Sequence, residues 1–205
     1  LRVHEEVVSV DNSTAGTDRD GQVKMFREAA LGLADAAKER RDNMSEKMAR
    51  VVEIINRPEN KDEHFLLWHD LEKEREELCR VIPGCKAVYG SQNDEEADKV
   101  ISDFKDGRLK YLAAKPEMLG EGLNFQYHCH KAIMFIDYRF NDKFQAIARI
   151  YRFMQKHPVD LYLVYAESEG EIYKSFMQKW AQHKEMVAKM TGIVRRSEER
   201  RVGKE

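Results

Sequence analysis

The stretch Cys85-Lys-Ala-Val-Tyr-Gly-Ser-Gln-Asn-Asp-Glu-Glu-Ala-Asp-Lys-Val-Ile-Ser-Asp-Phe-Lys-Asp-Gly-Arg-Leu-Lys-Tyr-Leu-Ala-Ala114 decides the fold class. Two apolar runs of strand length, residues 85–89 and 109–114, flank a segment in which Ala97, Val100, Ile101 and Phe104 share one helical face. Gly107 follows that face as a stop signal. A strand, a helix and a strand in this space form a right-handed crossover between parallel neighbours. Runs of the same kind recur at residues 64–68, 131–136 and 159–165, each bounded by turn residues or a charged helical segment. Five strands alternating with helices give an α/β architecture with a mostly parallel sheet.

The flanks extend this unit. Val3, Val7, Val8 and Val10 make a short strand-like start that reads as the tail of something upstream. Two leading helices follow within residues 22–56. The first carries Met25, Phe26, Ala29, Leu33 and Ala36; the second carries Met48, Val51, Val52 and Ile55, with Asn43 or Ser45 as its cap. Beyond Ser168 a long helical stretch puts Ile172, Phe176, Met177, Trp180, Met186, Val187, Met190 and Ile193 on its apolar side, as a brace across the domain. The expected division is therefore 1–44 as linker and leading helix, 45–167 as the α/β lobe, 168–194 as the brace helix and 195–205 as a disordered polar tail.

Composition narrows the function classes. At 205 residues, 42% of them hydrophobic and with only 11 Gly and 4 Pro, the chain can bury a core and is not a low-complexity sequence. The 35 Lys and Arg against 37 Asp and Glu leave a net charge of −2, so any nucleic-acid site must be local. Cys79, Cys85 and Cys129 lack a CxxC spacing and read as reduced thiols. No apolar run is long enough to span a membrane and no signal peptide begins the chain, so the expectation is a soluble, cytoplasmic protein.

The local basic region spans residues 131–158, with six Lys and Arg against two Asp, a +4 segment in a chain of −2. Within it lies Gln145-Ala-Ile-Ala-Arg149-Ile-Tyr-Arg152-Phe-Met-Gln155. On a helix, Gln145, Arg149 and Arg152 would fall within an arc of about 60°. They form either a solvated face or an arginine pair aimed at phosphates, which planar bidentate donors suit. The segment Lys115-Pro-Glu-Met-Leu-Gly120-Glu-Gly122-Leu-Asn124-Phe-Gln126 follows a strand directly, and its glycines would let the backbone approach an anion. Tyr89-Gly90-Ser91-Gln92, between a strand and a helix, offers a hydroxyl and free amides, or simple capping.

Taken in order, these segments resemble motifs of the carboxy-terminal RecA-like lobe of superfamily 2 helicases, most closely the Swi/Snf-type DNA translocases of bacterial or phage-like kind. His64-Phe-Leu-Leu-Trp-His-Asp-Leu71 resembles motif IV, residues 115–126 resemble motif V, and residues 145–155 resemble the Q…R..R.GQ pattern of motif VI. The resemblance covers roughly residues 45–190. Two positions depart from it: Met154 stands where the family usually has Gly, and Lys115-Pro116 replaces the usual Ser/Thr-rich opening of motif V.

The resemblance implies a RecA-like three-layer lobe of an ATP-dependent motor. Arg149 and Arg152 would be arginine fingers, with Gln145 helping to position the phosphates. Ser91, Lys115, Gly120, Gly122 and Asn124 would line a track for the sugar-phosphate backbone of DNA. ATP and Mg2+ would be held mainly by an amino-terminal motor lobe, the other expected partner.

The chain itself has no G-x-x-x-x-G-K-[ST] loop; its only Gly-Lys pair is Gly203-Lys204, so this lobe alone is not expected to turn over ATP. Asp94-Glu95-Glu96 resembles an acidic magnesium motif superficially but opens a helix, where acids suit the dipole. His128-Cys129-His130 has no second Cys/His pair at ligand spacing, and no metal site is expected. Two rival readings remain: a non-catalytic α/β docking or weak nucleic-acid-binding module, and a helical interaction protein should the strands fail to form.

Overall fold

A computed structural model describes residues 1–9, 43–119, 123–137 and 139–202, with side chains described as far as Lys189. The first leading helix, Gly120 and Gly122 lie outside the described residues.

The five expected strands form: β2 (Phe65–Trp68), β3 (Lys86–Val88), β4 (Tyr111–Ala114), β5 (Lys131–Phe135) and β6 (Asp160–Ala166). A sixth, β1 (Arg2–Val8), joins them in one sheet of order β1-β6-β5-β2-β4-β3, with every neighbouring pair parallel. The boundary drawn at residue 45 therefore leaves out a strand of this sheet. The strand-like start at Val3, Val7 and Val8 is thus part of this sheet; His4, Glu5 and Glu6 interrupt its apolar pattern, yet each finds a partner at the sheet edge. The Arg2 guanidinium donates from Nε and Nη2 to Asp160 at 2.7 Å each, and Arg57 donates to Glu6 at 2.6 and 3.0 Å.

Alternation along the central strands sorts side chains to two covered faces. Leu66 and Trp68 of β2 and Ala132 and Met134 of β5 enter one cluster, together with Phe104, Ile147, Phe176 and Trp180. Phe65 and Leu67, with Ile133 and Phe135, enter the other, together with Val51, Ile54 and Leu78. Helices α1 (Met44–Ile55) and α2 (Glu72–Val81) cover the second face; α3 (Asp94–Lys105), α4 (Phe140–Ile147) and α5 (Gly170–Val202) cover the first. This is a three-layer α/β lobe. Asn93 caps α3 by accepting from the Glu95 amide at 2.9 Å, and Gly107 ends the strand-bound turn at φ 74°, where a Cβ would lie 2.9 Å from His128 Nδ1. The brace helix runs on to Val202, past residue 194, into the polar segment expected to lack structure.

The helix expected through residues 145–155 ends at Ile147 instead. Ala148 caps it, and the next amides tighten to shorter bonds: Arg149 N–H to Ala146 O at 3.1 Å and Ile150 N–H to Ile147 O at 3.2 Å. The turn leaves Ile150 buried. Gln155 holds the returning chain by donating from Nε2 to Cys129 O at 3.0 Å and Ile150 O at 3.2 Å. Between these anchors Met154 adopts φ 72°, the left-handed region that favours glycine.

Two buried charges join α1 to the start of α5: Lys47 Nζ lies 2.6 Å from Glu169 Oε2, with side-chain exposures of 1% and 0%. Glu169 Oε2 also accepts the Ala166 amide at 2.7 Å. Removing one partner strands a charge in the core, which costs about 3–5 kcal/mol. We expect Lys47→Met to lower the unfolding free energy by that amount, read as a lower urea midpoint at unchanged m-value, and Lys47→Met/Glu169→Leu to recover most of it. Met154→Gly should have the opposite sign, because its side chain is half exposed and the backbone strain is relieved. A gain of up to about 1 kcal/mol, after glycine's greater unfolded-state entropy is set against it, is expected as a higher urea midpoint at unchanged m-value.

Candidate phosphate and nucleic-acid interface

In an all-parallel sheet every strand releases its chain at the same edge, and the loops there are the natural place for ligands. Ser91 follows β3 at that edge and is exposed, while Asn93 rather than Ser91 caps the following helix. Lys115 follows β4. The two loops touch, since a Cβ on Gly90 would lie 3.8 Å from the Sδ and Cε of Met118. Arg75 of α2 stacks its guanidinium over Tyr89, 4.2 Å from the ring centre. Lys115 is engaged at this edge: its Nζ lies 2.7 Å from Glu72 Oε1, and that hydrogen bond, opposed by burial and aided by Arg75, holds the Glu72 carboxyl below its ordinary range.

Beside this corner, the carboxyl ends of β2 and β5 carry a charged group that the sequence analysis missed. Lys143, wholly buried on α4, is paired with Asp70 and lies 3.9 Å from Asp137. Arg139 reaches the same two carboxylates, Nη2 to Asp70 Oδ1 at 2.9 Å and Nε to Asp137 Oδ2 at 3.0 Å, while keeping nearly half of its surface in solvent. His69 is buried next to this group, and burial lowers its pKa to about 4 against the pull of Glu74 and Asp70, so it is neutral at pH 7. The signal was available, because an Asp at the second position after each of two buried strands is an unusual end for an apolar run.

The expected arc of Gln145, Arg149 and Arg152 does not form. Gln145 lies exposed on α4, whereas Arg149 and Arg152 come after its end, the first half-buried and the second exposed. The structure instead brings Arg152 to Asn124: Nη1 donates to Leu123 O at 3.0 Å and Asn124 Oδ1 at 3.3 Å. This contact is not at the carboxyl edge. The chain from Leu123 onward returns toward the start of β5, and Gln155 meets it at Cys129, close to the amino edge. Ser91 and Lys115 thus form one cluster, and Arg152 and Asn124 a second.

His128, Cys129 and His130 diverge. Cys129 Sγ lies 3.4 Å from His64 O and 3.2 Å from Lys131 O. His130 stacks on His157 with ring centres 4.8 Å apart, and His128 tilts toward His64 at 6.4 Å. Among the described residues no helix is long and apolar enough to cross a membrane.

No protein-family model and no curated protein sequence matches the chain. Solved structures do resemble it. The carboxy-terminal part of the Fun30 ATPase domain aligns with a TM-score of 0.57 at 17% identity, over 65% of this chain and 46% of that one. The S. cerevisiae Dbp5 carboxy-terminal domain, solved bound to Gle1 and IP6, aligns with a TM-score of 0.54 at 14% identity, over 67% of this chain and 79% of that one. A longer S. cerevisiae Dbp5 chain bound to Gle1 and IP6 aligns at 0.54 and 15%, over 67% of this chain and 37% of that one. The chain therefore spans under half the length of the Fun30 structure. Its fold is the RecA-like three-layer α/β fold of these carboxy-terminal domains.

Proposed function

We propose that this chain is the carboxy-terminal motor lobe of an ATP-dependent DNA helicase or translocase of Swi/Snf type. The observation that carries the reading is the contact between Arg152 and Asn124, which joins the segments resembling motifs VI and V. Position 154 adds support, because the backbone there has the conformation of glycine, the family's usual residue at that point in motif VI.

In this reading ATP with its Mg2+ binds mainly to an amino-terminal lobe and supplies the phosphoryl group that is transferred. Arg152 and Arg149 extend guanidiniums toward its phosphates and stabilise the charge that spreads over the phosphoryl oxygens. Gln145, exposed on α4, positions the phosphate side of the cleft. Ser91 and Lys115 at the carboxyl edge begin the track for the DNA backbone, and the motif V segment carries it along the sequence through Gly120 and Gly122 to Asn124, the residue hydrogen-bonded to Arg152. Lys115 is held by Glu72, so engaging a DNA phosphate means exchanging one anionic partner for another. The contacts run along the backbone and carry no sequence preference.

The Dbp5 domain, which shares the fold, was solved bound to another protein, and this supports a second reading in which the lobe serves as a docking module without catalysis. Reconstitution separates the two. Mixed with its amino-terminal lobe, the chain should support DNA-stimulated ATP hydrolysis, and Arg152→Ala should reduce the turnover by ~10³ to 10⁵. The same substitution should leave the melting temperature of the lobe within a few degrees, because the side chain is exposed and its two hydrogen bonds are surface contacts. An unchanged turnover in the variant would leave the docking reading. DNA binding should be weak, independent of sequence and steeply salt-dependent, the slope falling by about 1 for each phosphate contact removed.

A further inference from the structure

Cys79 and Cys85 are six residues apart in sequence and belong to different elements: Cys79 lies in the last turns of α2, Cys85 directly before β3. The connection between them is tight. Ile82 N–H still bonds back to Leu78 O at 3.1 Å, Gly84 takes φ 80°, and Cys85 N–H closes onto Ile82 O at 3.1 Å. This turn brings the two thiols face to face with Sγ to Sγ 3.9 Å, both of them free. Cys79 is half-buried and reachable from solvent, whereas Cys85 is buried behind it with Sγ 3.8 Å from Lys86 O.

We propose that Cys79 and Cys85 form a reversible redox modification site, in which a hydroperoxide oxidises Cys79 and Cys85 then closes the pair to a disulfide. The two sulfurs are suited to different roles. Cys79 is drawn down to about 7 by its hydrogen bond with Cys85, against burial and with help from the Arg75 and Lys86 cations, so much of it is thiolate at neutral pH. The same hydrogen bond and burial push the Cys85 thiol up, so it keeps its proton.

In the first step the Cys79 thiolate attacks one peroxide oxygen. The S–O bond forms, the O–O bond breaks, and the departing alkoxide or hydroxide takes a proton from water. Cys79 is then a sulfenic acid. In the second step the sulfur of Cys85 attacks the Cys79 sulfur, the S–S bond forms, and the hydroxyl group leaves as water with the Cys85 proton. Each sulfur is oxidised by one electron overall and the peroxide is reduced by two. The sulfurs need approach by only about 2 Å to reach bonding distance. Cys129, wholly buried and with its thiol pushed up to about 12 by that burial, is the internal control.

The bridge would tie the end of α2 to β3, a three-residue strand at the edge of the sheet. Treating the folded, reduced chain with hydrogen peroxide at pH 7 should consume two of its three thiols. Intact mass should fall by two hydrogens, peptide mapping should join Cys79 to Cys85, and dithiothreitol should reverse both changes. Cys79 should react on the order of tenfold faster than Cys129. Cys85→Ser should stop at a sulfenic acid on Cys79 that dimedone traps, and Cys79→Ser should leave Cys85 unmodified at the same peroxide concentration. Retention of all three thiols, oxidation of Cys79 to sulfinate without a bridge, or a disulfide through Cys129 or between two chains would overturn the proposal. Mapping of the wild-type chain decides it even if a serine variant fails to fold.

Discussion

The structure rests on the ladder formed by β4, β2 and β5, in which Phe65 pairs with Tyr111 on one side and Lys131 on the other, and Trp68 with Ala114 and Met134. All four residues of β2 are buried, so neither face of the central strand can meet water. Parallel strands require long crossovers, and a sheet apolar on both faces requires those crossovers to cover both. The three-layer arrangement, the assignment of α1 and α2 to one side and α3 to α5 to the other, and the gathering of loops at one edge all follow from that single constraint.

Its consequence for chemistry is a division of charge. Among the described residues, buried charges are held by partners, and two of these partnerships join layers: Lys47 reaches Glu169 on one face, and Lys143 reaches Asp70 and Asp137 across the ends of β2 and β5. Such groups fix how the helices sit on the sheet. The candidate ligand-facing residues have a different character. Ser91 and Gln145 are exposed, and Arg152 is held only by a carbonyl and an amide oxygen. A guanidinium with neutral partners retains its full charge for an anion, which one locked between two carboxylates does not.

The strand-helix-strand unit of residues 85–114 was legible because period and turn signals agree there: Asn93 caps, Phe104 is buried and Gly107 terminates as the pattern implies. β1 was legible as strand-like but its place in the sheet was not, since that place comes from partners distant in sequence, among them Asp160 to Arg2 and Tyr165 to Glu5, which no local pattern contains. The arginine segment was half legible. Gln145, Arg149, Arg152 and Gln155 stand out as polar residues in the sequence, but their helical spacing assumed a helix that stops at Ile147. Local propensity allows the helix to continue; the reach of the Gln155 side chain to Cys129 and Ile150 favours the turn. The same limit hid the Cys79 and Cys85 contact, which a count of cysteines cannot reveal because it depends on the path of residues 80–84.

Met154 joins these threads. A methionine in the left-handed region is strained, and such strain persists only where the surroundings over-determine the backbone. Here they do, because Ile150 is fixed by the core on one side, and on the other the Gln155 side chain donates to two carbonyls while its Oε1 accepts the His157 amide at 3.0 Å. The chain between the two anchors has few conformations left. Its exposed side chains, Arg152, Phe153 with 90% of its surface in solvent, and Met154, are therefore presented on a rigid turn. Rigidity at an exposed segment has no benefit for burial, but it lowers the entropy lost when that segment meets a ligand or a neighbouring lobe. The strained methionine is thus compatible with a surface built for contact, and glycine at the same position would reach the same turn with less strain in the folded state and more freedom to leave it.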